Sequence, residues 1–272
     1  MGEVIVITSG KGGVGKTTTT ANLGAGLALL GKKVALIDTD IGLRNLDVVL
    51  GLENRIVYDL VNVIELSCRV KQALIKDKRF EGLFLLPAAQ NRDKSAITGD
   101  QMVWLCNQMK NDFDYILIDC PAGIEQGFKN AVAAADRALV VTTPEVAAVR
   151  DADRVIGLLE AAGIFNYSLI INRVRDDLIR RGEMLNTDDI VDILAVELFG
   201  LIPEDEEVVI SSNRGIPMVK TLSAIGSSGG NSLAAQAFRN ISRRIIGEQV
   251  PFVDLRPNTL IKRIKKLFKV SA

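Results

Sequence analysis

The 272-residue chain contains no histidine. That absence removes imidazole as a general base, the serine–histidine–acid triad and most zinc sites. Cysteine is scarce: only Cys68, Cys106 and Cys120 occur, and no two of them form a C-x-x-C pair. An odd number of thiols without metal-ligand spacing reads as reduced, buried cysteines of a cytosolic protein. Charge of one sign is not in excess, since 33 basic and 33 acidic residues cancel, so the chain as a whole carries no electrostatic signature of a nucleic-acid binder. No apolar run approaches the ~18–20 residues of a membrane span. No signal-peptide pattern precedes the first apolar stretch, and no internal repeat is visible. A soluble body is expected.

What is present is a rhythm. Hydrophobic residues make up 48% of the chain, ample for a core in one α/β domain or two small ones. Near-continuous apolar runs at 34–37, 83–86, 115–118, 138–141, 169–171 and 198–202 read as strands buried on both faces. Between them, 18–30, 100–110, 146–162 and 233–246 show helical amphipathic patterns, with Gly31 and Gly163 where C-caps fall. Alternating strands and helices predict a single doubly wound, mostly parallel α/β sheet flanked by helices. The low-complexity patch at 226–230 reads as a loop before the last core helix.

The chemistry begins at the first strand. Glu3-Val4-Ile5-Val6-Ile7-Thr8-Ser9 leads into Gly10-Lys11-Gly12-Gly13-Val14-Gly15-Lys16-Thr17-Thr18. This matches the P-loop pattern G-x-x-x-x-G-K-[ST] at every fixed position. Its glycines let backbone N–H groups face inward, and the following helix adds the positive end of its dipole. Lys16 serves the terminal phosphates as a point charge and Thr17 offers a hydroxyl to Mg²⁺. Lys11, a second lysine inside the loop, is more than an ordinary phosphate cradle needs. Further on, Asp38 and Asp40 close the second strand and Asp119 closes another. A lone aspartate at a strand end is commonly an N-cap or a turn residue. Three of them beside a P-loop instead read as a Mg²⁺ and water site, with Asp119 in the Walker B position.

The run Lys-Gly-Gly-Val-Gly-Lys-Thr-Thr at 11–18 resembles the deviant Walker A family of dimerising ATPases, which includes ParA-type partition proteins and the nitrogenase iron protein. Segments 38–47, 120–125, 143–146, 150–154, 202–205 and 212–215 resemble the branch of that family that sites the division septum, so the likeness runs from about Val4 to Gly247. The resemblance implies an ATPase domain over 1–247 with Lys11 reaching a partner's nucleotide across a homodimer interface. It implies that Asp40 positions the attacking water, that Asp38 and Asp119 serve Mg²⁺, and that Asn45 supports hydrolysis. It places ATP's adenine against Asn172 and the loop from Pro203 to Asp205. A carboxylamide such as Asn172 can read a donor and an acceptor together, but the residues alone leave guanine open. The resemblance also implies that Arg150, Asp151, Asp153 and Arg154 dock a division inhibitor (MinC) and a hydrolysis activator (MinE or an equivalent adaptor). A mixed-charge strip of that kind is otherwise ordinary solvated surface.

The tail reads differently from the body. Residues 248–258 form a proline-punctuated linker, and 259–270 an amphipathic helix. Leu260, Ile261, Ile264, Leu267 and Phe268 share one stripe, while Lys262, Arg263, Lys265, Lys266 and Lys269 take the rest. A basic amphipathic helix after a linker suits an anionic membrane surface or a partner; packing back on the body is the structural alternative. The resemblance favours membrane targeting. It implies a cytoplasmic protein that is peripheral on the inner face of the cell membrane in its ATP state. Two other readings stay open: a ParA-type DNA-partitioning ATPase, and an iron protein sharing a cluster between subunits. The first needs a basic surface for DNA, against which the neutral composition argues, so no sequence-specific nucleic acid is expected. The second needs cysteines from two subunits facing one cluster.

Overall fold

The computed structural model describes residues 1–93, 96–223 and 232–255. Among them, eight strands form one sheet: β1 (Glu3–Thr8), β2 (Val34–Asp38), β3 (Ile75–Lys76), β4 (Leu83–Leu86), β5 (Tyr115–Asp119), β6 (Arg137–Thr142), β7 (Tyr167–Val174) and β8 (Leu198–Pro203). Their spatial order is β3-β4-β2-β5-β1-β6-β7-β8, parallel throughout except for the β3–β4 pair. The helices are α1 (Lys16–Leu29), α2 (Leu46–Val49), α3 (Leu60–Ile64), α4 (Val70–Ala73), α5 (Gly99–Met109), α6 (Gln126–Val132), α7 (Val146–Ala161), α8 (Asp176–Arg180), α9 (Thr187–Leu194), α10 (Glu206–Asn213) and α11 (Leu233–Ile245).

The continuous apolar runs are explained by burial on both sides of the sheet. Successive strand residues point to opposite faces. Val4 and Val6 of β1 therefore join Ala35, Ile37, Ile116 and Ile118 in one core layer, covered by α5, α6, α7 and α9. Ile5 and Ile7 join Leu36, Leu117 and Leu139 in the other, covered by α1 and α11. Each such side chain contributes roughly 1.5–3 kcal/mol on full burial.

The strand order matters most at β1. The chain leaves β1 for β2 on one side, and after β5 crosses to β6 on the other. The carboxyl ends of β2, β5 and β1 thus lie side by side at a topological switch point, where open α/β sheets bind ligands. Several elements differ from the sequence pattern: helices α2, α3, α4, α6, α8, α9 and α10 span too few turns to show a clear amphipathic period. The edge strand β3 has only two residues, too few to show a period. Helix α1 begins at Lys16 rather than Thr18 because Gly15, at φ 102°, turns the chain directly into it. Gly31 and Gly163 follow the last turns of α1 and α7 in the left-handed conformation, as a C-cap requires. Cys106 and Cys120 are buried as expected, whereas Cys68 is only partly covered.

Beyond α11, residues 248–255 carry neither helix nor strand. They lie against that helix: Asn240 donates to the Pro251 carbonyl at 3.1 Å, and the Arg244 guanidinium donates to the Val250 carbonyl and stacks 4.3 Å from the Phe252 ring centre. The patch at 226–230, the end of the 248–258 segment and the amphipathic stretch at 259–270 lie outside the described residues. No helix among the described residues is long and apolar enough to cross a membrane.

Candidate nucleotide site

The loop between β1 and α1 is an anion cradle. The N-terminus of α1 has no side-chain cap, so its first N–H groups point into the loop unpartnered, at the positive end of the helix dipole. Lys16 is 7% exposed, and its ammonium donates to Ser9 Oγ at 2.9 Å. Ser9 in turn donates to the Lys11 carbonyl at 2.8 Å, so the lysine and the far side of the loop are held together. Gly10 lies against α7: a Cβ there would stand 2.3 Å from the Asp151 carbonyl oxygen. Gly12 and Gly13 complete the turn, Val14 is buried beneath it, and Thr17 and Thr18 are half-buried on the first helical turn.

Beside the cradle sits an acid pair. Parallel register puts Asp38 of β2 next to Asp119 of β5, and both are essentially buried. Asp38 Oδ1 accepts the Asp40 N–H at 2.9 Å and Oδ2 accepts the Leu46 N–H at 3.1 Å, so Asp38 organises the loop that follows it. Thr20 Oγ1 lies 3.2 Å from Asp119 Oδ1. Burial raises both carboxyls above the usual carboxylate range. The Asp119 charge raises Asp38 further, while Thr17, Lys16 and Thr20 draw Asp119 back. Two buried acids that resist shared ionisation are a place for a cation. Mg²⁺ fits the donors: it takes oxygen ligands only, and needs no more than one or two carboxylates because phosphates and waters complete its shell. The lack of any group of three acidic, cysteine or histidine side chains among the described residues is therefore no obstacle.

The other predicted residues fall around this centre. Asp40 is half-buried and close enough for its charge to raise Asp119 and Cys120, and its carbonyl accepts the Arg44 N–H at 3.0 Å. Asn45 precedes α2 with its side chain exposed and no cap bond of its own. Lys11 is about half exposed and lies 3.7 Å from Glu145 of the same chain. Asn172 is buried, and its Nδ2 donates to the Val14 carbonyl at 2.8 Å while its Oδ1 accepts the Arg173 N–H at 2.9 Å. A break in the β7–β8 register between Ile171 and Val174 accompanies this placement, as bulges beside sites often do. Pro203 ends β8, and Asp205 caps α10 by accepting the Glu207 N–H at 2.9 Å. On α7, Arg150, Asp153 and Arg154 are exposed and Asp151 half-buried; none has an ion-pair partner among the described residues.

Several contributors carry no local signal. Ser9 and Thr20 stand just outside the motif and are recognised only once the loop is folded. Arg44 lies at φ 45° with its guanidinium 2.9 Å from buried Asp47, which pins the segment between Asp40 and α2 in a left-handed turn.

A doubly wound sheet, a glycine loop opening a helix and an acid pair at the switch point define a P-loop nucleotide-binding protein. Residues 5–218 match the family described as the CobQ/CobB/MinD/ParA nucleotide binding domain. The chain is 56% identical over 268 residues to the septum site-determining protein MinD of Synechocystis sp., spanning 98% of each. Among solved structures it resembles the MinC:MinD cell division protein complex of Aquifex aeolicus at 51% identity and a TM-score of 0.83, over 93% of this chain and 98% of that one. It also resembles the septum site-determining protein MinD of Pyrococcus horikoshii complexed with Mg-ADP, at 31% identity and a TM-score of 0.79, over 91% and 97%. The chain belongs to the MinD family of P-loop nucleotide-binding proteins.

Proposed function

We propose that this chain is a Mg²⁺-dependent ATPase that dimerises on ATP, associates with the inner face of the cell membrane, and helps place the division septum. The observation that carries the reading is the joining, at one switch point, of an anion cradle built on Lys16 with a buried acid pair that calls for a cation. A magnesium nucleotide meets both demands at once. The Mg-ADP bound by the Pyrococcus relative supports this choice.

In this reading the backbone N–H groups of residues 12–17 and the Lys16 ammonium hold the phosphates. Thr17, Asp38 and Asp119 hold Mg²⁺, which when bound supplies charge neutralisation on the phosphate oxygens. Asp40 orients the attacking water, and Asn45 steadies the loop that carries it. Lys11 leaves Glu145 and reaches the partner's phosphates, as an arginine finger does elsewhere. Asn172 keeps one amide hydrogen and one lone pair beyond its bonds to Val14 of the loop and to Arg173, and these, with Pro203 to Asp205, serve the adenine. The strip on α7 docks a division inhibitor, as the MinC complex of the Aquifex relative supports, and an activator, MinE or an equivalent adaptor.

The stretch at 259–270 is the membrane anchor of this reading. Each basic residue near an anionic leaflet contributes about 1 kcal/mol, while ordering a free peptide costs roughly 1 kcal/mol or more per residue. One copy binds marginally. Two copies in an ATP-held dimer gain ~10²–10⁴ in avidity, so hydrolysis releases the protein. The test is sedimentation with anionic liposomes, comparing ATP with ADP and the full chain with one ending at residue 256. ATP-dependent binding by the full chain alone supports the reading. Binding to DNA in ATP with no liposome binding overturns it in favour of a partition ATPase.

A further inference from the structure

The fold joins the far ends of two helices that begin beside the nucleotide site through a single side chain. Arg79 lies between β3 and β4. Its guanidinium is about a quarter exposed, while its counter-ion Asp77 is 1% exposed. Asp77 holds the fork in place: Arg79 Nε donates to Oδ1 at 3.0 Å and Nη2 to Oδ2 at 2.6 Å, a bidentate pair. The remaining donors reach outward in two directions. Nη2 donates to the carbonyl of Leu50, the residue that ends α2. Nη1 donates to the carbonyl of Gly215 at 2.6 Å, just past the end of α10.

Both of those ends belong to elements that begin at the site. The first residue of α2, Leu46, donates its N–H to Asp38. Helix α10 is capped by Asp205, in the loop assigned to the base. The segment after Gly215 is also tied to α1, the helix that follows the phosphate loop: Asn22 of α1 accepts the Met218 N–H at 2.8 Å and donates to the Thr18 carbonyl at 2.9 Å. The backbones also meet directly, because a Cβ on Gly215 would stand 2.6 Å from the Gly51 Cα. There is no room for the two segments to slide past each other. Displacing α2 must break a bond to Arg79 or carry Gly215 with it.

We propose that Arg79 is a positioning residue that locks α2 to the end of α10, so that nucleotide seated between the phosphate loop and the base loop fixes the segment carrying Asp40 and Asn45. The claim rests on the ATPase reading above for its kinetic consequence, though not for the mechanical link itself. A guanidinium is required because one planar fork must satisfy a carboxylate and two carbonyls at once; an ammonium is a point charge that cannot span them.

The experiment uses the full chain with Arg79→Lys, and the paired Asp77→Asn/Arg79→Gln, which leaves no unpartnered buried charge. Three quantities are read: the ADP dissociation constant, kcat and KM for ATP, and amide hydrogen exchange at 10–18, 46–51 and 213–218 with and without Mg-ADP. In the wild type, Mg-ADP should protect all three segments. In both variants the ADP constant should stay within about threefold and protection at 10–18 should persist. Protection at 46–51 should be lost and kcat should fall about tenfold at nearly constant KM. Retained protection at 46–51 with wild-type kcat in either folded variant overturns the proposal. So does parallel loss of ADP binding, kcat and thermal stability in both, which makes Arg79 a residue of the fold alone. A wild type that does not hydrolyse ATP refutes the ATPase reading, and the exchange pattern at 46–51 still decides the role of Arg79.

Discussion

Asn172→Ala separates the loop-holding bond seen in the structure from the base contact proposed for the same amide. The side chain is 8% exposed and makes two bonds to backbone, donating to Val14 and accepting from Arg173. Alanine strands the carbonyl of buried Val14, at roughly 1–3 kcal/mol, whereas the N–H of exposed Arg173 can turn to water. About 2 kcal/mol is therefore expected overall, the middle of that range. That loss falls on the fold if the phosphate loop stays ordered in the free protein, and on binding if it does not. Measured as stability alone it lowers Tm by about 4–8 °C for a domain of this size. Measured as affinity alone it weakens ADP roughly 30-fold. Thermal unfolding with and without saturating ADP, together with a titration, should find the two losses summing to that figure. Tripolyphosphate, which has no base, should weaken as well, but by a smaller factor than ADP, which also loses its contact to the amide. An alanine variant that loses ADP affinity but binds tripolyphosphate as tightly as wild type would refute the loop-holding role and leave Asn172 to the base alone.

The remaining expectations concern charge. The Lys11–Glu145 pair is about half exposed, so Lys11→Ala should leave Tm and ADP binding nearly unchanged. ATP-dependent dimerisation and turnover should drop, and a normal dimer by light scattering with normal turnover would end the role across an interface. Asp153→Lys on α7 should weaken binding of the division inhibitor or the activator several-fold at unchanged basal hydrolysis; unaltered pull-down of both returns the strip to ordinary surface. The acid pair predicts a pH effect. Because burial raises Asp38 and Asp119 above their unfolded values, the metal-free fold should lose stability as pH climbs from the ordinary carboxylate range, about pH 4, through the raised values. Mg-ADP should flatten that slope and chelation should restore it, as followed by Tm; equal slopes with and without Mg-ADP would show that the pair takes no cation.

How much of this was legible depends on the distance over which each feature is encoded. The P-loop is a run of nine residues whose spacing alone specifies a strand, a turn and a helix, and the structure has all three in place. Asp38 and Asp119 were legible because each ends an unbroken apolar run, and parallel strands align such ends; their register pairs them directly. The aspartate of an isolated strand end would have carried no such meaning. Features that depend on register breaks or on long-range contacts left no trace. The bulge that accompanies Asn172's turn to Val14 follows from a mismatch between β7 and β8, not from any residue in β7. Arg79 and Gly215 are 136 positions apart, and a lone arginine after an edge strand looks like solvated surface until the fold closes around it. Strand β3 was missed for a simpler reason, since two residues display no alternation.

The two halves of the site also constrain what can occupy it. The cradle holds uncapped N–H donors and a buried ammonium, and attracts any anion of the right size. The neighbouring acids repel the same anion and hold on to protons in its absence. A bare phosphate therefore satisfies the loop while worsening the position of Asp38 and Asp119. A bare divalent cation relieves the acids but meets Lys16 at close quarters, with the lysine fixed in place by Ser9. Only a ligand that brings its own cation beside its phosphates neutralises both halves. Binding of nucleotide and of Mg²⁺ should accordingly be mutually strengthening, by linkage through the same two carboxylates. The adjacency that would produce this coupling is set by strand order: β5 lies between β2 and β1, so the acid pair borders the glycine loop between β1 and α1.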